Sequence, residues 1–350
     1  VDTGASLIGW SRRSQIQLVI AALVISFQFS PSVGSIAAAG SGAVAGSAVI
    51  PIPQPSSLAD WAQKPAQELA EAGLVAISQQ APELMTRGSF MTLAAACSGR
   101  SAAVWPEELR RQSIQVGRPG DDLAPDAVIT RSEAVTFLVK LLRAEAEAPA
   151  LEQVRDSSGA GGPDVREVPP PPVDIAGHWA ESFFADAVRW GLVRGRPDGT
   201  VGPDAPLSLA EGLTLADRFL HAGEGLLPLD PPLTAAADPR RAVEAHVQTF
   251  VDVFSREPYD FARLLATCVG QAKALIAQNQ EYYVGRYARG SRFRFELLSF
   301  EATVASRSLF IAIVTTRERM REYADGRAEE SEYADRMFLR RVGQTWLIYK

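Results

Sequence analysis

The sequence predicts a multidomain α+β protein: a helical unit of three repeats, then a C-terminal α+β unit in which two helices pack on a curved antiparallel sheet. Three observations lead there. A Trp-to-Gly interval of 12 residues occurs at Trp61/Gly73, Trp105/Gly117 and Trp179/Gly191. A second helix opens at Thr86, Thr130 or Ser208, which lie 13, 13 and 17 residues after those glycines. Beyond residue 240 two amphipathic helices give way to runs that alternate with period two. A spacing shared by three copies argues for a repeat architecture.

The third copy, 173–220, shows the plan most fully. Asp174 is placed to cap a helix whose apolar stripe is Trp179, Phe183, Ala187 and Val188, and Gly191 closes it. Arg196-Pro197-Asp198-Gly199 is a turn, because proline presets φ and glycine accepts positive φ. Pro203 and Pro206 delay the next helix until Ser208, an N-cap with Glu211 at the capping-box position. Leu209, Leu213, Ala216 and Leu220 form the second stripe. Aligning the three helix openings puts Thr92, Thr136 and Thr214 in one column.

The rest of the chain falls into place around these copies. Arg12-Arg13, the apolar run 15–27 and the small residues of 37–45 read as a signal peptide over 1–45. A retained membrane anchor is the alternative, although the run is shorter than the ~20 residues a spanning helix needs. An extended linker occupies 46–57, the first repeat 58–98 and the second 102–142. Linkers rich in Gly or Pro follow at 143–172 and 221–239, either side of the third repeat. The net charge is −6 with a pI of about 5.3 and no basic stripe, which speaks against nucleic acid as a partner. Cys97 and Cys268 lie on apolar helical faces and read as buried small hydrophobes. His178, His221 and His246 are scattered, so no metal or cofactor is expected.

In 240–350, Val243, Val247, Phe250, Val251 and Phe254 mark one helix, and Phe261, Leu264, Cys268, Ala272 and Ile276 a second over about 259–279. Four strands follow, at 293–297, 309–314, 333–341 and 345–349, the last two joined by a turn at Val342-Gly343-Gln344. The charged stretch 317–332 reads as a solvated loop or a strand extension, and Arg286, Arg289, Arg292 and Arg294 as a solvated edge, with an anion-binding patch as the alternative. His246, Asp252, Tyr259, Asp260, Tyr282 and Tyr283 are the candidates for pocket chemistry. No pair among them has a spacing that demands acid–base work, and no catalytic residue is assigned.

The residues Asp174, HWA at 178–180, GLVRGRPDGT at 191–200, Pro203-Asp204 and LAE at 209–211, with ITRSE at 129–133, resemble S-layer homology modules. Thr86-Arg87 is what the first copy retains of the pattern. The resemblance covers about 57–220 and implies an exported cell-wall or cell-surface protein, held non-covalently on a secondary cell-wall polysaccharide, commonly a pyruvylated one. An anionic sugar calls for arginine on its carboxylate, an aromatic on its ring face and backbone N–H groups at helix starts. Carried onto this chain, the polymer-binding positions are Arg131, Arg87, Trp179 and Trp61. Leu209 stands where the pattern has arginine, and Gly88-Ser89 where it has Ala-Glu, so one groove is expected to be dead. For the tryptophans, core packing is the competing reading; for the arginines it is a surface cation at a helix start, which the dipole disfavours. The two helices, four strands and closing RRVGQTWLIYK look similar to the nuclear-transport-factor-2-like cone, which implies a ligand-binding or interaction domain. A wall-located small-molecule enzyme in that cone, or a membrane-anchored scaffold with decayed repeats, are the alternatives; a membrane enters only through an uncleaved N-terminus.

Overall fold

The computed structural model describes residues 50–100, 124–145, 172–196, 198–224, 238–324 and 326–350. The expected signal peptide, Trp105, Gly117 and most of the linkers at 143–172 and 221–239 lie outside the described residues. No helix among the described residues is long and apolar enough to cross a membrane.

The N-terminal helical unit begins with β1 (Ile50–Ile52), which pairs in parallel with β2 (Val75–Ile77). Between them runs α1 (Asp60–Glu71), closed by Gly73 at φ 70°. Then come α2 (Arg87–Cys97), α3 (Arg131–Arg143), α4 (Glu181–Arg189) and α5 (Leu209–Leu220). Three of these helices open on a capping box. Thr86, Thr130 and Ser208 each accept from the N3 backbone, and Ser89, Glu133 and Glu211 each return a side-chain acceptor to the cap. The serine at position 89 does this as well as the glutamates, which the sequence pattern did not suggest.

The residues just before these caps form a closed ring. Met85 N donates to Leu207 O, Leu207 N to Ile129 O and Ile129 N to Met85 O, at 2.9–3.0 Å. All three side chains are fully buried at the ring's centre. The first N–H of each helix follows the opposite cycle: Arg87 N donates to Ala127 O, Arg131 N to Ala205 O and Leu209 N to Glu83 O. Three helix starts therefore satisfy one another's backbone, and the proline-containing segments 82–84, 125–128 and 203–206 supply the carbonyls.

Two local expectations are corrected. Asp174 does not cap a helix; its carboxylate accepts from Val201 N at 2.9 Å and Gly202 N at 2.7 Å, clamping the turn, while α4 starts seven residues on at Glu181. Trp179 therefore precedes the helix and is half exposed, and Phe184, not Trp179, fills the core.

The C-terminal unit has α6 (Pro239–Ser255), a short α7 (Ala262–Ala266) and α8 (Gly270–Ala288). The expected single second helix is split because Val269 N turns aside to donate to Ile348 O, and Gly270 takes φ 52°. Four antiparallel strands follow in chain order: β3 (Phe293–Arg307), β4 (Ile311–Ala324), β5 (Arg327–Val342) and β6 (Thr345–Ile348). Residues 317–324 and 327–332 are strand, the far half of the β4–β5 hairpin. Helices cover one face. Phe250, Phe254, Tyr259, Phe261, Tyr283, Phe293 and Phe295 interlock there with ring centroids 4.7–6.3 Å apart.

The two units share an apolar interface. Phe310 stacks on Phe219 at 4.7 Å, and Leu309, Ile311, Val269 and Tyr349 join the core of the helical unit. Glycines allow backbone contact there: a Cβ on Gly270 would meet Glu71 O at 2.1 Å, and one on Gly99 would meet Arg341 O at 2.6 Å.

Candidate functional site

The loop after the Arg-Pro-Asp-Gly turn lies against the start of α3. Arg131, the first residue of α3, sends Nε and Nη2 to the Glu211 carboxylate and Nη1 to Val201 O at 2.8 Å. Gly202, at φ 60°, brings its backbone so close that a Cβ would lie 3.0 Å from Arg131 Nη1 and 3.1 Å from Arg196 Nη2. Two guanidinium groups thus meet over one glycine. Arg131 is neutralised by Glu211; Arg196 is exposed and forms no ion pair among the described residues. Asp174 lies near Arg196, and although burial pushes its carboxyl up, the Val201 and Gly202 N–H bonds and the Arg196 charge hold it below the ordinary value.

Trp179 flanks the same loop. His178 Nε2 lies 3.2 Å from Asp204 Oδ1, and the Trp179 ring is 5.4 Å from the His178 ring with 50% of its surface exposed. Pro203 O accepts from Ser132 N at 2.9 Å, so Asp204 sits between the start of α3 and the His178–Trp179 pair. An exposed cation, a half-exposed indole and a rigid loop form a surface suited to an anionic sugar.

The backbone amides do not contribute as expected. Arg131 N and Ser132 N are taken by Ala205 and Pro203 carbonyls, and Glu133 N by the Thr130 hydroxyl. An anion at this helix start finds no free N–H among those three groups. Arg131 is likewise not an unpartnered surface cation; the glutamate of the next helix removes the dipole penalty that an isolated arginine would meet. Arg87 is deeper still, its side chain 7% exposed and paired in both contacts with Glu133. Trp61, at the start of α1, is 55% exposed. The structure thus brings Arg131 and Trp179 around one loop and sets Arg87 inside the fold. Arg196 and Asp174 were missed as site residues, though Arg196 stands inside the quoted GRPDGT.

In the C-terminal unit the candidates for pocket chemistry do not converge. His246 is buried, its Nδ1 2.6 Å from Thr267 Oγ1, and burial pushes it down to about 4. Tyr259 OH exchanges bonds with the Phe293 backbone, Asp260 caps Ala262 N, and Asp252 faces Arg263 at 3.7 Å. Both cysteines are free and buried, with burial pushing Cys97 up to about 12 and Cys268 to about 11.

Among the described residues, Glu68, Asp217 and His221 bring metal-ligating atoms within 4.8 Å of one another. The ring of His221 is already engaged, by Glu68 at 2.9 Å and Glu224 at 2.7 Å. Burial pushes His221 down, but these two bonds outweigh it and raise the imidazole to about 9. A protonated histidine at the C-terminus of α5 therefore ties α1 to the Glu224 turn, and Ser306 of β3 binds the same glutamate. The ion pairs lie within the helical unit and reach the C-terminal unit through the Ser306 hydroxyl, while Asp217 Oδ1 has no hydrogen-bond partner among the described residues.

Residues 173–211 match the model of the S-layer homology domain. Over 122 residues, 35% of the chain, the sequence is 32% identical to a cellulosome-anchoring protein of Acetivibrio thermocellus, spanning 24% of that protein. Over 110 residues, 31% of the chain, it is 34% identical to cell surface glycoprotein 1 of the same organism, spanning 4% of it. No solved structure matches the chain. The matched segment 173–211 contains Asp174, Trp179, Arg196, Gly202 and Glu211, the residues that build the loop site. Residues 173–211 thus form an S-layer homology domain, and the chain is a protein of the cell wall or cell surface.

Proposed function

We propose that this protein is a non-covalent anchor to a secondary cell-wall polysaccharide, acting through three S-layer homology repeats at 58–98, 102–142 and 173–220. The cyclic backbone bonds among Met85, Ile129 and Leu207 support the three-repeat reading, since three equivalent helix starts meet there. The name of one relative, a cellulosome-anchoring protein, supports the role, and that of the other, a cell surface glycoprotein, supports the location. The binding groove lies between the second and third repeats. Trp179 offers its half-exposed face to a sugar ring, Arg196 pairs with a carboxylate such as a pyruvyl group, and Arg131 holds the loop that carries both contacts. Trp61 is a second aromatic contact, while Arg87 belongs with Glu133 and supports the fold of the groove.

The single observation that carries this reading is the exposed Arg196 guanidinium above Gly202, beside Arg131. Two cations at one point of a surface, one of them with no ion pair among the described residues, favour an anionic ligand. The C-terminal unit, a sheet covered on one face by helices, is a ligand-binding module of the nuclear-transport-factor-2-like type displayed by the anchor. Co-sedimentation with purified walls, before and after the secondary polymer is stripped, tests the anchoring role. Comparing the parent with Arg196→Ala tests the groove.

A further inference from the structure

We propose that the helix-covered face of the C-terminal sheet binds a small organic ammonium ion with an apolar stem. The inference rests on the reading of this unit as a ligand-binding module and names the class of its ligand.

Strand alternation sorts the charges of the β4–β5 hairpin. Arg317, Arg319 and Arg321 point to the outer face, where they pair with Glu332, Glu330 and Glu296. The intervening residues Thr316, Glu318, Met320 and Glu322 point to the face that carries Val314 and the helices. Their β5 neighbours are Asp335, Tyr333, Ser331 and Glu329 in the same order. Cross-strand neighbours lie ~5 Å apart at Cβ, so Thr316, Glu318, Tyr333 and Asp335 form one patch. Among the described residues Glu318, Glu322, Glu329 and Asp335 form no ion pair, although Arg317, Arg319 and Arg321 of the outer face are each paired.

Two of these side chains are buried with unsatisfied oxygens. Thr316 is 5% exposed and Glu318 4%; the Thr316 hydroxyl lies near enough to the Glu318 carboxylate to lower it, but no hydrogen bond of ordinary geometry reaches Thr316 Oγ1 or Glu318 Oε1. Buried polar atoms in folded proteins are nearly always paired, so two adjacent orphans on one face point to a missing partner. Asn279 Nδ2 is a third such atom, on the stripe of α8 that also carries Ile276 and Tyr283. Burial decreases toward β5, where Tyr333 and Asp335 are half-buried, and beyond its pairing with β6 that strand has no outer neighbour. The site therefore has its floor at Thr316 and Glu318 and its mouth along β5.

The lining selects the ligand. Acceptor oxygens of Glu318, Asp335 and Thr316 suit the three donors of an ammonium group. The aromatic faces of Tyr333 and Tyr283 add cation–π attraction, and Phe300 and Met320 line a path for an alkyl stem. A single metal ion fits less well, because no three of these groups bring ligand atoms within 4.8 Å of one another. Burial raises Glu318 to about 7, against the lowering effect of the Thr316 hydroxyl and with a smaller push from Asp335, and burial raises Asp335 to about 6. The other titratable groups facing them are Tyr283 from α8, Tyr333 and Glu329 from β5, and Glu322 on the same strand. A bound ammonium ion favours the charged carboxylates, so binding near pH 6.5 releases protons.

The test is calorimetric titration of the full chain with hexylamine, with 1-hexanol and calcium chloride as comparison probes. Hexylamine is expected to bind with a Kd below about 1 mM and to release protons at pH 6.5, read from the buffer dependence of the heat. Hexanol should bind at least tenfold more weakly, and Glu318→Gln should lose at least tenfold for hexylamine; Asp335→Asn serves as the second variant. Equal binding of hexylamine and hexanol would overturn the ammonium class while leaving a ligand site in place. Tighter binding of calcium would overturn it in favour of a metal. No binding by any probe would overturn both the inference and the ligand-binding reading.

Discussion

Arg131, the first residue of α3, grips Glu211, the capping glutamate of α5, through Nε and Nη2. The same pair recurs one step back, where Arg87 at the start of α2 grips Glu133 of α3. Each glutamate does two jobs, since Glu133 also accepts from Thr130 N and Glu211 from Ser208 N. A third pair would need an arginine at 209 and a glutamate at 89. The chain has Leu209 and Ser89, so both ends of that contact are lost together.

These pairs have a stability that depends on depth. Arg87→Ala should cost about 3–5 kcal/mol, because it leaves Glu133 charged and buried. Arg131→Ala should cost less, about 1–3 kcal/mol, since Glu211 is 26% exposed. Denaturant titration measures both, and equal losses at the two sites would contradict the ranking. Arg131 cannot be altered to probe binding without also lowering the melting temperature.

The lost third pair can be rebuilt. Leu209→Arg should destabilise alone, by burying a charge without a partner, while Ser89→Glu, at a half-buried position, should change stability less. Together they should recover at least about 1 kcal/mol relative to the sum of the single losses. Strict additivity in the double-mutant cycle would show that the two positions do not meet.

Glu318 makes the C-terminal unit sensitive to pH. Its folded value of about 7 lies above the ordinary 4.5, so folding favours the protonated form. That stability is fully present below 4.5 and is lost as pH rises through 7. Glu318→Gln should therefore gain on the order of 2–3 kcal/mol at pH 8 and almost nothing at pH 4. The buried His246 acts oppositely, losing stability as pH falls from 6.5 toward 4, but it is common to both proteins and cancels in the comparison. A variant less stable than the parent at pH 8 would contradict this assignment.

His221 acts in another window. Its value is raised from 6.5 to about 9, so its contribution is complete below 6.5 and disappears as pH rises through 9. The protection factor of amides at the Phe219–Phe310 interface, corrected for the intrinsic rise of exchange with pH, should fall between pH 7 and 10 in the parent. In His221→Ala it should be low throughout that range. An interface equally protected at pH 7 and 10 in the parent would show that this histidine does not hold it.

The helix openings were legible because capping chemistry is local: Thr130 with Glu133 and Ser208 with Glu211 formed the boxes their spacing implied. The β5–β6 turn at Gly343 was legible for the same reason. Asp174 was misread because its partners, Val201 and Gly202, lie 27 and 28 residues away. The Arg87–Glu133 pair spans 46 residues, and a capping glutamate gives no sign that it has a second partner. The orphaned Glu318 had a visible signal. In the run from Thr316 to Glu322 every arginine has one parity, which period-two geometry sends to a single face.

The account's central claim is that the loop beside α3 holds a wall polymer, and co-sedimentation with purified cell walls tests it most directly. The parent chain should sediment with intact walls and stay in solution with walls stripped of their secondary polymer. Arg196→Ala, which removes an exposed side chain with no ion pair among the described residues, should keep the parent's melting temperature and lose tenfold or more in wall affinity, about 1.4 kcal/mol. Trp179→Ala should behave alike, since half of that ring is already in solvent. Sedimentation of both variants at the parent's level would remove the site from this loop, and equal sedimentation of the parent with stripped and intact walls would contradict polymer anchoring itself.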